Sequence, residues 1–249
     1  RQLHGIGTEA DETKAEHYLT KASDYGNTHA SYQLARLYIR QESQKLSGES
    51  GTAPDYAKIA KAVKWLEESA AQENPFADYA IGRLYREGTL VAEDMEKAVF
   101  HLKRAADAGN SYAQYQLGKI YLEEDTRNIP AAIQYLTLAA KQKNEFAAYR
   151  LGKLYLTGEE LPKNTELALH YLKMAADTGN QYAQYALGKV YLIGKDVQQD
   201  KELAYDYFLK SAEQGNIYAA YFLEHWNDMP HPDLLLMATR LMRHLEHII

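Results

Sequence analysis

The sequence predicts an all-α protein, an α/α superhelical solenoid of about six helix–turn–helix repeats with a C-terminal capping helix. The first observation is a stretch that returns along the chain. Residues 109–122 read GNSYAQYQLGKIYL, residues 179–192 read GNQYAQYALGKVYL, and residues 143–156 give the looser copy KNEFAAYRLGKLYL. The second is that helical patterns of two kinds alternate between these copies. Such an internal period indicates a repeat architecture.

The second helix of each repeat begins after an asparagine. An asparagine at this place can accept a free backbone N–H of the first turn and so cap the helix. A glycine before four of the asparagines suits the left-handed residue that follows a preceding helix. Glu73 and Lys143 replace that glycine in the other two copies, so we expect a local cost in stability there. The six asparagines are Asn27, Asn74, Asn110, Asn144, Asn180 and Asn216.

The first helix of each repeat carries an alanine, an aromatic residue or histidine three positions on, and a large apolar residue after that. This spacing marks the buried face of a helix. Five copies have Asp or Asn four residues before the alanine, in a capping position. The second copy has Lys58 there, which predicts a start nearer Thr52 or Asp55. The anchoring residues Ala15, Ala62, Ala98, Ala132, Ala168 and Ala204 are 47, 36, 34, 36 and 36 residues apart.

Together these motifs resemble the Sel1-like repeat, a relative of the tetratricopeptide repeat. The resemblance rests on the Asp-x-x-Lys-Ala start, the Ala-Ala-x-x-Gly-Asn turn and the Ala-Gln-x-x-Leu-Gly-x-x-Tyr helix, all present at residues 94–121. It implies an α/α superhelix that acts as an adaptor for other proteins and is not catalytic as a rule. In related solenoids the second helix of each pair lines the concave face, so the resemblance also implies a groove there.

The repeats are expected to fill residues 1–227, interrupted by an insertion at 41–54 that is rich in Ser, Gly and Glu. The insertion is interpreted as a surface loop, or alternatively as a segment that folds onto a partner. Residues 228–249 carry a helical apolar stripe, which predicts a capping helix over the last repeat. Gly5 and Gly7 match the loop after a second helix. The first helix of that unit is therefore missing, and we expect the chain to be part of a longer protein.

The composition limits the classes of function. The chain has 249 residues, a formal net charge of −6 and no cysteine. A negative charge disfavours non-specific binding to the nucleic-acid backbone, which needs a basic surface. The absence of cysteine excludes the secreted Sel1-like subtype in which a disulfide staples each repeat, and it is compatible with a cytoplasmic setting. No apolar stretch is long enough to span a membrane, and a monomer is expected.

No pattern predicts an active site, a metal site or a bound cofactor. A phosphate-cradling glycine loop and a nucleophile–base pair are both missing from the sequence. The histidines His225, His231, His244 and His247 do not have the spacing of a four-ligand zinc site, and we interpret them as solvated. His101 stands where other repeats have Tyr or Trp, so we expect it to pack between helices.

The candidate partner-binding residues form a row on the second helices. One repeat position holds tyrosine in every copy, and the position four residues on holds Arg or Lys in five copies. Helical geometry at 100° per residue places this row away from the buried arc, facing the groove. Tyrosine with a nearby cation is typical of binding surfaces, but the tyrosines could instead pack between adjacent helices. The row consists of Tyr32, Arg36, Tyr79, Arg83, Tyr115, Lys119, Tyr149, Lys153, Tyr185, Lys189 and Tyr221.

Two functional hypotheses follow. The first is a protein-interaction scaffold of a larger bacterial-type protein, with a peptide or partner domain in the concave groove. The second is a nucleic-acid accessory module, with the cations on phosphates and the tyrosines stacked on bases. Residues 234–249, LLLMATRLMRHLEHII, look like the stretch after Sel1-like repeats in some relaxase-type mobilisation proteins of conjugative elements. A basic strip unbroken by Asp or Glu would favour nucleic acid, and a mixed strip would favour protein.

Overall fold

The computed structural model describes residues 11–46 and 53–227, and these are helical throughout apart from short connections. They contain twelve α-helices and no β-strand, so the prediction of twelve repeat helices in an all-α solenoid is confirmed for this part of the chain. The chain divides into two compact units, the first ending at Leu117 and the second beginning at Gly118. The expected capping helix at 228–249 and the loop at Gly5 and Gly7 lie outside the described residues.

The first unit contains three helical pairs, and it ends within the last helix of the third pair. The first helix of each pair buries the anchoring alanine, as predicted, while the side chain of Tyr18 is exposed. The helices are α1 (Glu12–Asp24), α2 (Thr28–Leu46), α3 (Tyr56–Ala71), α4 (Pro75–Glu87), α5 (Met95–Asp107) and α6 (Ser111–Ile120), the last crossing the division between the units.

The second unit contains three further pairs after a short 3₁₀ turn at Glu124–Thr126. Its first helices bury Leu136, Leu172 and Phe208. The helices are α7 (Ile129–Lys141), α8 (Glu145–Thr157), α9 (Thr165–Asp177), α10 (Gln181–Ile193), α11 (Lys201–Glu213) and α12 (Ile217–Glu224).

The predicted asparagine cap is present in all six pairs, at the start of the second helix of the pair. Each asparagine Oδ1 accepts a backbone N–H of the first turn, for instance that of Ala113 on Asn110 at 3.0 Å. Asp55 caps α3 in the copy where Lys58 breaks the pattern, as expected. These bonds satisfy N–H groups that have no partner inside the helix, and they fix where each second helix begins.

The residue before each capping asparagine has a left-handed backbone. Gly26, Gly109 and the equivalent glycines have φ between 82° and 98°. Glu73 and Lys143 occupy the same conformation with φ of 60° and 62°. A side chain at positive φ is strained because its Cβ crowds the backbone, so the expected local cost falls at these two turns.

Four glycines in the second helices lie where two helices come closest. A Cβ on Gly82 would lie 2.7 Å from Cγ of Leu102, and a Cβ on Gly118 would lie 2.5 Å from Cγ of Leu136. Gly152 meets Leu172 and Gly188 meets Phe208 in the same way. Such distances are far inside van der Waals contact, so only glycine permits this approach. The last copy has Glu224, an exposed residue at the end of α12.

The insertion is only partly a loop. The prediction placed a loop from Gln41 to Pro54, but α2 continues to Leu46 and takes up the beginning of this segment. The reason is Glu42, whose fully buried side chain pairs with Lys45 Nζ at 2.8 Å. The same carboxylate accepts the backbone N–H of Asp55 at 2.7 Å. The carboxylate therefore joins the end of α2 to the start of α3 and stabilises both.

The protonation of Glu42 is linked to folding. Burial raises the pKa of this carboxyl. The hydrogen bonds from Lys45 and from the N–H of Asp55, with the charge of Lys58, lower the pKa by more than burial raises it. The pKa of Glu42 therefore lies below its ordinary value of 4.5. A depressed pKa means that the folded state favours the ionised form. The resulting stabilisation is complete above pH 4.5 and is lost as the pH falls through the lower folded-state pKa.

Replacement of the contact glycines should destabilise the fold. We expect Gly118→Leu and Gly188→Leu each to lower the free energy of unfolding by about 2–3 kcal/mol, because overpacking forces the helices apart. For a chain of this size the melting temperature would fall by roughly 5–10 °C, measured by circular dichroism. Arg150→Leu, at an exposed position of α8, is the control and should change little. An unchanged melting temperature in both glycine variants would contradict the close-approach argument.

The Glu42 pair should be visible in the pH dependence of stability. At pH 7, Glu42→Gln should unfold more easily than the natural protein by about 1–3 kcal/mol, the usual cost of losing bonds to a buried charged group. The difference should shrink below pH 4.5, where the natural carboxylate takes up a proton. Urea unfolding between pH 7 and pH 3 measures it. Glu68→Gln, at an exposed partner of Lys64, is the control. A difference that stays constant with pH would contradict the assignment.

Candidate protein-interaction grooves

The first unit contains a groove of about 580 Å³ along the second helices α2 and α4 and the start of α6. Tyrosine and phenylalanine side chains form its aromatic part, and arginines stand along it. We call it the arginine groove. Its principal residues are Tyr32, Arg36, Arg40, Phe76, Tyr79, Arg83, Glu87, Asn110 and Tyr112.

The arginine groove is mainly positive. Arg83 donates through Nε to Glu87 at 2.8 Å, and Arg40 pairs with Glu12 at 2.6 Å. All four of these side chains are largely exposed, so each pair is worth little in water and its partners can exchange. Arg36 lies 5.7 Å from the centroid of the Tyr32 ring.

The second unit contains a smaller groove of about 320 Å³ along α8 and α10. Its cations are lysines, so we call it the lysine groove. Asp196 lines the groove, and its Oδ2 lies 2.6 Å from Nζ of Lys163, which stands outside the groove. The principal residues of the groove are Tyr149, Lys153, Tyr182, Tyr185, Lys189, Ile193, Lys195 and Asp196.

Most of the row predicted from the sequence lines one of these grooves. The arginine groove takes its members from the first two repeats and the lysine groove from the fourth and fifth. The structure does not place Tyr115, Lys119 or Tyr221 in either groove. Tyr115 and Lys119 are half-buried on α6, while the Tyr221 ring packs against that of His225 with centroids 4.3 Å apart. The row members that line the grooves are Tyr32, Arg36, Tyr79, Arg83, Tyr149, Lys153, Tyr185 and Lys189.

The tyrosines of the row are more buried than helical geometry predicted. Tyr32 is 7% exposed and Tyr185 is 5% exposed. Tyr185 contacts the rings of Phe208 and Phe222 at centroid distances of 5.8 and 6.1 Å. The angular argument treated one helix alone, whereas the helices of the next repeat cover the flank of the helix as well. The row is therefore both a packing layer and a groove lining.

Burial and the neighbouring cations determine the chemistry of the tyrosines. Burial raises the pKa of the Tyr32 hydroxyl, and the charge of Arg36 offsets this only in part. Tyr32 is therefore a neutral phenol at physiological pH. Lys189 lies 4.7 Å from the centroid of the Tyr185 ring, within cation–π distance. Tyr32 and Tyr185 thus each support a cation at the edge of their groove.

Sequence reasoning missed a second aromatic row. The position two residues after each capping asparagine holds Phe or Tyr in five repeats. Phe76, Tyr112 and Tyr182 are 59%, 54% and 52% exposed. Tyr112 leans on Tyr79 and Tyr182 on Tyr149, with ring centroids 6.1 Å apart in both pairs. The periodic aromatic was visible in the sequence, but its exposure depends on how adjacent repeats stack.

His101 lies between α5 and α4, in keeping with the predicted packing role, and it also makes a polar contact that the sequence did not predict. Its Nδ1 lies 2.8 Å from a carboxylate oxygen of Asp78, which is 3% exposed. Arg104 approaches the other oxygen of Asp78 at 3.4 Å and donates to the main-chain oxygen of Ala70 at 2.8 Å. The equivalent histidine slot in the second unit holds tyrosines that stack, for example Tyr171. His101 therefore satisfies a buried carboxylate that other repeats do not have.

In residues 11–46 and 53–227, no group of three or more acidic or histidine side chains is arranged to hold a metal ion. Within the same ranges, none of the helices has the length and apolar character needed to cross a membrane. Nδ1 of His225 lies 2.9 Å from the main-chain oxygen of Tyr221, and His231, His244 and His247 lie outside the described part.

Twelve helices in consecutive pairs define the class of the described part of the chain as an α-helical repeat protein. The Sel1 repeat family matches the chain over six consecutive segments, residues 1–27, 28–74, 75–110, 111–144, 146–180 and 181–216. The chain belongs to the Sel1 repeat family. Proteins of this family are generally protein-interaction scaffolds.

Solved structures support the assignment. The chain is similar to c5321, a protective antigen of uropathogenic Escherichia coli with an SLR fold, at 29% identity and a TM-score of 0.76. The match covers 96% of this chain and 50% of that one, so the chain spans half the length of c5321. A Sel1 repeat protein from Oxalobacter formigenes is 29% identical, with a TM-score of 0.71 and coverage of 86% of this chain and 84% of that one.

Further comparisons add the fold alone or nothing. The immunity protein Pa5087 from Pseudomonas aeruginosa is 24% identical over 80% of this chain and 72% of that one, with a TM-score of 0.50, and this likeness shows only the shared fold. Comparison with curated proteins found no match. The segment that resembles relaxase-type proteins, residues 234–249, lies beyond the six matched repeats.

Proposed function

We propose that this chain is a protein-interaction module that binds acidic segments of a partner protein in the grooves of its second helices. The observation that carries the proposal is that both units supply the same two repeat positions to their grooves, a tyrosine and a cation four residues on. A partner with regularly placed carboxylates and apolar side chains fits such a surface. The monomeric, cytoplasmic and bacterial setting expected from the sequence is part of the same proposal.

The distribution of charge favours protein over nucleic acid as the partner. Glu87 stands beside Arg83 in the arginine groove, and Asp196 stands beside Lys195 in the lysine groove. A carboxylate in the binding strip repels phosphates and interrupts the counterion release on which nucleic-acid binding depends. The net charge of −6 opposes the attraction of any polyanion, so the local cations of the grooves have to hold an acidic segment. A mixed strip of this kind is typical of protein–protein contacts.

The lysine groove provides the test. We expect the double variant Lys153→Glu, Lys189→Glu to fold, because Lys153 is exposed and Lys189 is only half-buried. It should weaken binding of poly-L-glutamate by about tenfold, because two attractive charges of the groove become repulsive. Fluorescence anisotropy with labelled poly-L-glutamate measures the affinity, and a thermal melt measures folding. Oligothymidylate in the same assay represents the nucleic-acid alternative.

The control has the same change in net charge on the first helices. Lys141→Glu and Lys210→Glu alter exposed positions on α7 and α11 of the same unit and should leave poly-L-glutamate binding nearly unchanged. If the groove variant unfolds, the row is structural. If it folds and binds normally, the grooves are not the site. Tighter binding of oligothymidylate than of poly-L-glutamate to the natural protein would support the nucleic-acid alternative instead.

A further inference from the structure

We propose that the arginine groove is a carboxylate-recognition site that prefers a short acidic peptide segment carrying one large apolar side chain. This inference rests on the proposed function and assigns its most selective contact to the first unit. Arg36 and Arg83 would hold the carboxylates, and the side chains of Phe76, Tyr79 and Tyr112 would receive the apolar group.

The guanidinium groups are suited to carboxylates. Arginine presents a planar fork that can form two parallel hydrogen bonds to one carboxylate, which an ammonium group cannot do. Among the described residues, no carboxylate lies within ion-pair distance of Arg36, which rests against the Tyr32 ring. Arg83 and Arg40 pair with the half-exposed carboxylates of Glu87 and Glu12, and Arg83 also interacts with the side chain of Tyr79. An incoming carboxylate can therefore bind one arginine directly and replace these weak surface partners at the others.

The aromatic side chains account for the apolar part of the ligand. Phe76 and Tyr112 are more than half exposed although both line the groove. Tyr79 lies beneath, half-buried, with its ring centroid 6.1 Å from that of Tyr112. Exposed aromatic groups gathered around cations are typical of the centres of binding sites. A leucine or phenylalanine side chain of the partner would cover them.

The lysine groove lacks the combination of arginines with a phenylalanine and tyrosines that the arginine groove has. It is smaller, its cations are Lys153, Lys189 and Lys195, and Asp196 stands among them. Lysine acts as a point charge and selects carboxylate geometry less strongly than arginine does. The difference between the two grooves gives a matched control within one protein.

The experiment measures the affinity of a fluorescein-labelled peptide of glutamates with one central phenylalanine. A matched peptide of glutamines with the same phenylalanine reports the apolar contribution alone. The double variant Arg36→Ala, Arg83→Ala should lose affinity for the acidic peptide by about tenfold. The variant Arg36→Lys, Arg83→Lys keeps the charge and should lose about threefold. Lys153→Ala, Lys189→Ala should stay within about twofold, because this peptide is too short to need both grooves.

Thermal melts on all variants separate misfolding from lost contacts.

Failure of this inference and failure of the proposed function give different results. If the arginine variants bind the acidic peptide like the natural protein, the inference is wrong, even where the lysine reversals weaken poly-L-glutamate. Equal affinity for the glutamine peptide would also overturn it. If neither arginine nor lysine changes affect any acidic probe, the proposed function itself fails.

Discussion

The structure depends on one repeated contact, in which a glycine of a second helix lies against a large apolar residue of the next first helix. At Gly82, Gly118 and Gly152 the partner is a leucine, and a single methyl group would approach it to 2.7 Å or less. This closeness fixes both the separation and the rotation of the two helices, because packed interiors adjust in discrete steps. The asparagine caps and the left-handed turns then determine where each second helix starts.

The same contact positions the candidate grooves. The tyrosine of the row stands three residues before the contact glycine, and the cation directly follows it, as Tyr79 and Arg83 flank Gly82. When the glycine packs against the next first helix, the tyrosine packs between helices and the cation lies at the edge of the groove. This explains why the tyrosines of the row are buried or half-buried, while Arg36, Arg83 and Lys153 are exposed. A packing requirement and a recognition surface thus share one repeat motif.

Local rules predicted the helices well, because caps, turn glycines and helical spacing act within a few residues. The six asparagine caps, the start of α3 at Asp55 and the strain at Glu73 and Lys143 are all examples. Prediction failed where a contact joins residues distant in sequence. The extension of α2 depends on Glu42 reaching the N–H of Asp55, and the role of His101 depends on the buried Asp78. The burial of Tyr185 and the exposure of Tyr112 likewise depend on the stacking of repeats. The repeat pattern predicted which positions line the grooves, but it did not predict which other residues surround the arginines of one groove and the lysines of the other.

The central claim is that the cations next to the contact glycines, with Arg36 at the equivalent position after Ala35, meet the carboxylates of a partner. Nuclear magnetic resonance of the arginine Nε–H groups tests this directly, because each guanidinium reports its own hydrogen bonds. On titration with the acidic peptide, the signals of Arg36 and Arg83 should shift together and saturate. Those of Arg104, bound to Asp78, and of Arg150, on the exposed face of α8, should stay in place. Equal shifts at all arginines, or saturating shifts confined to Arg104 and Arg150, would contradict the account.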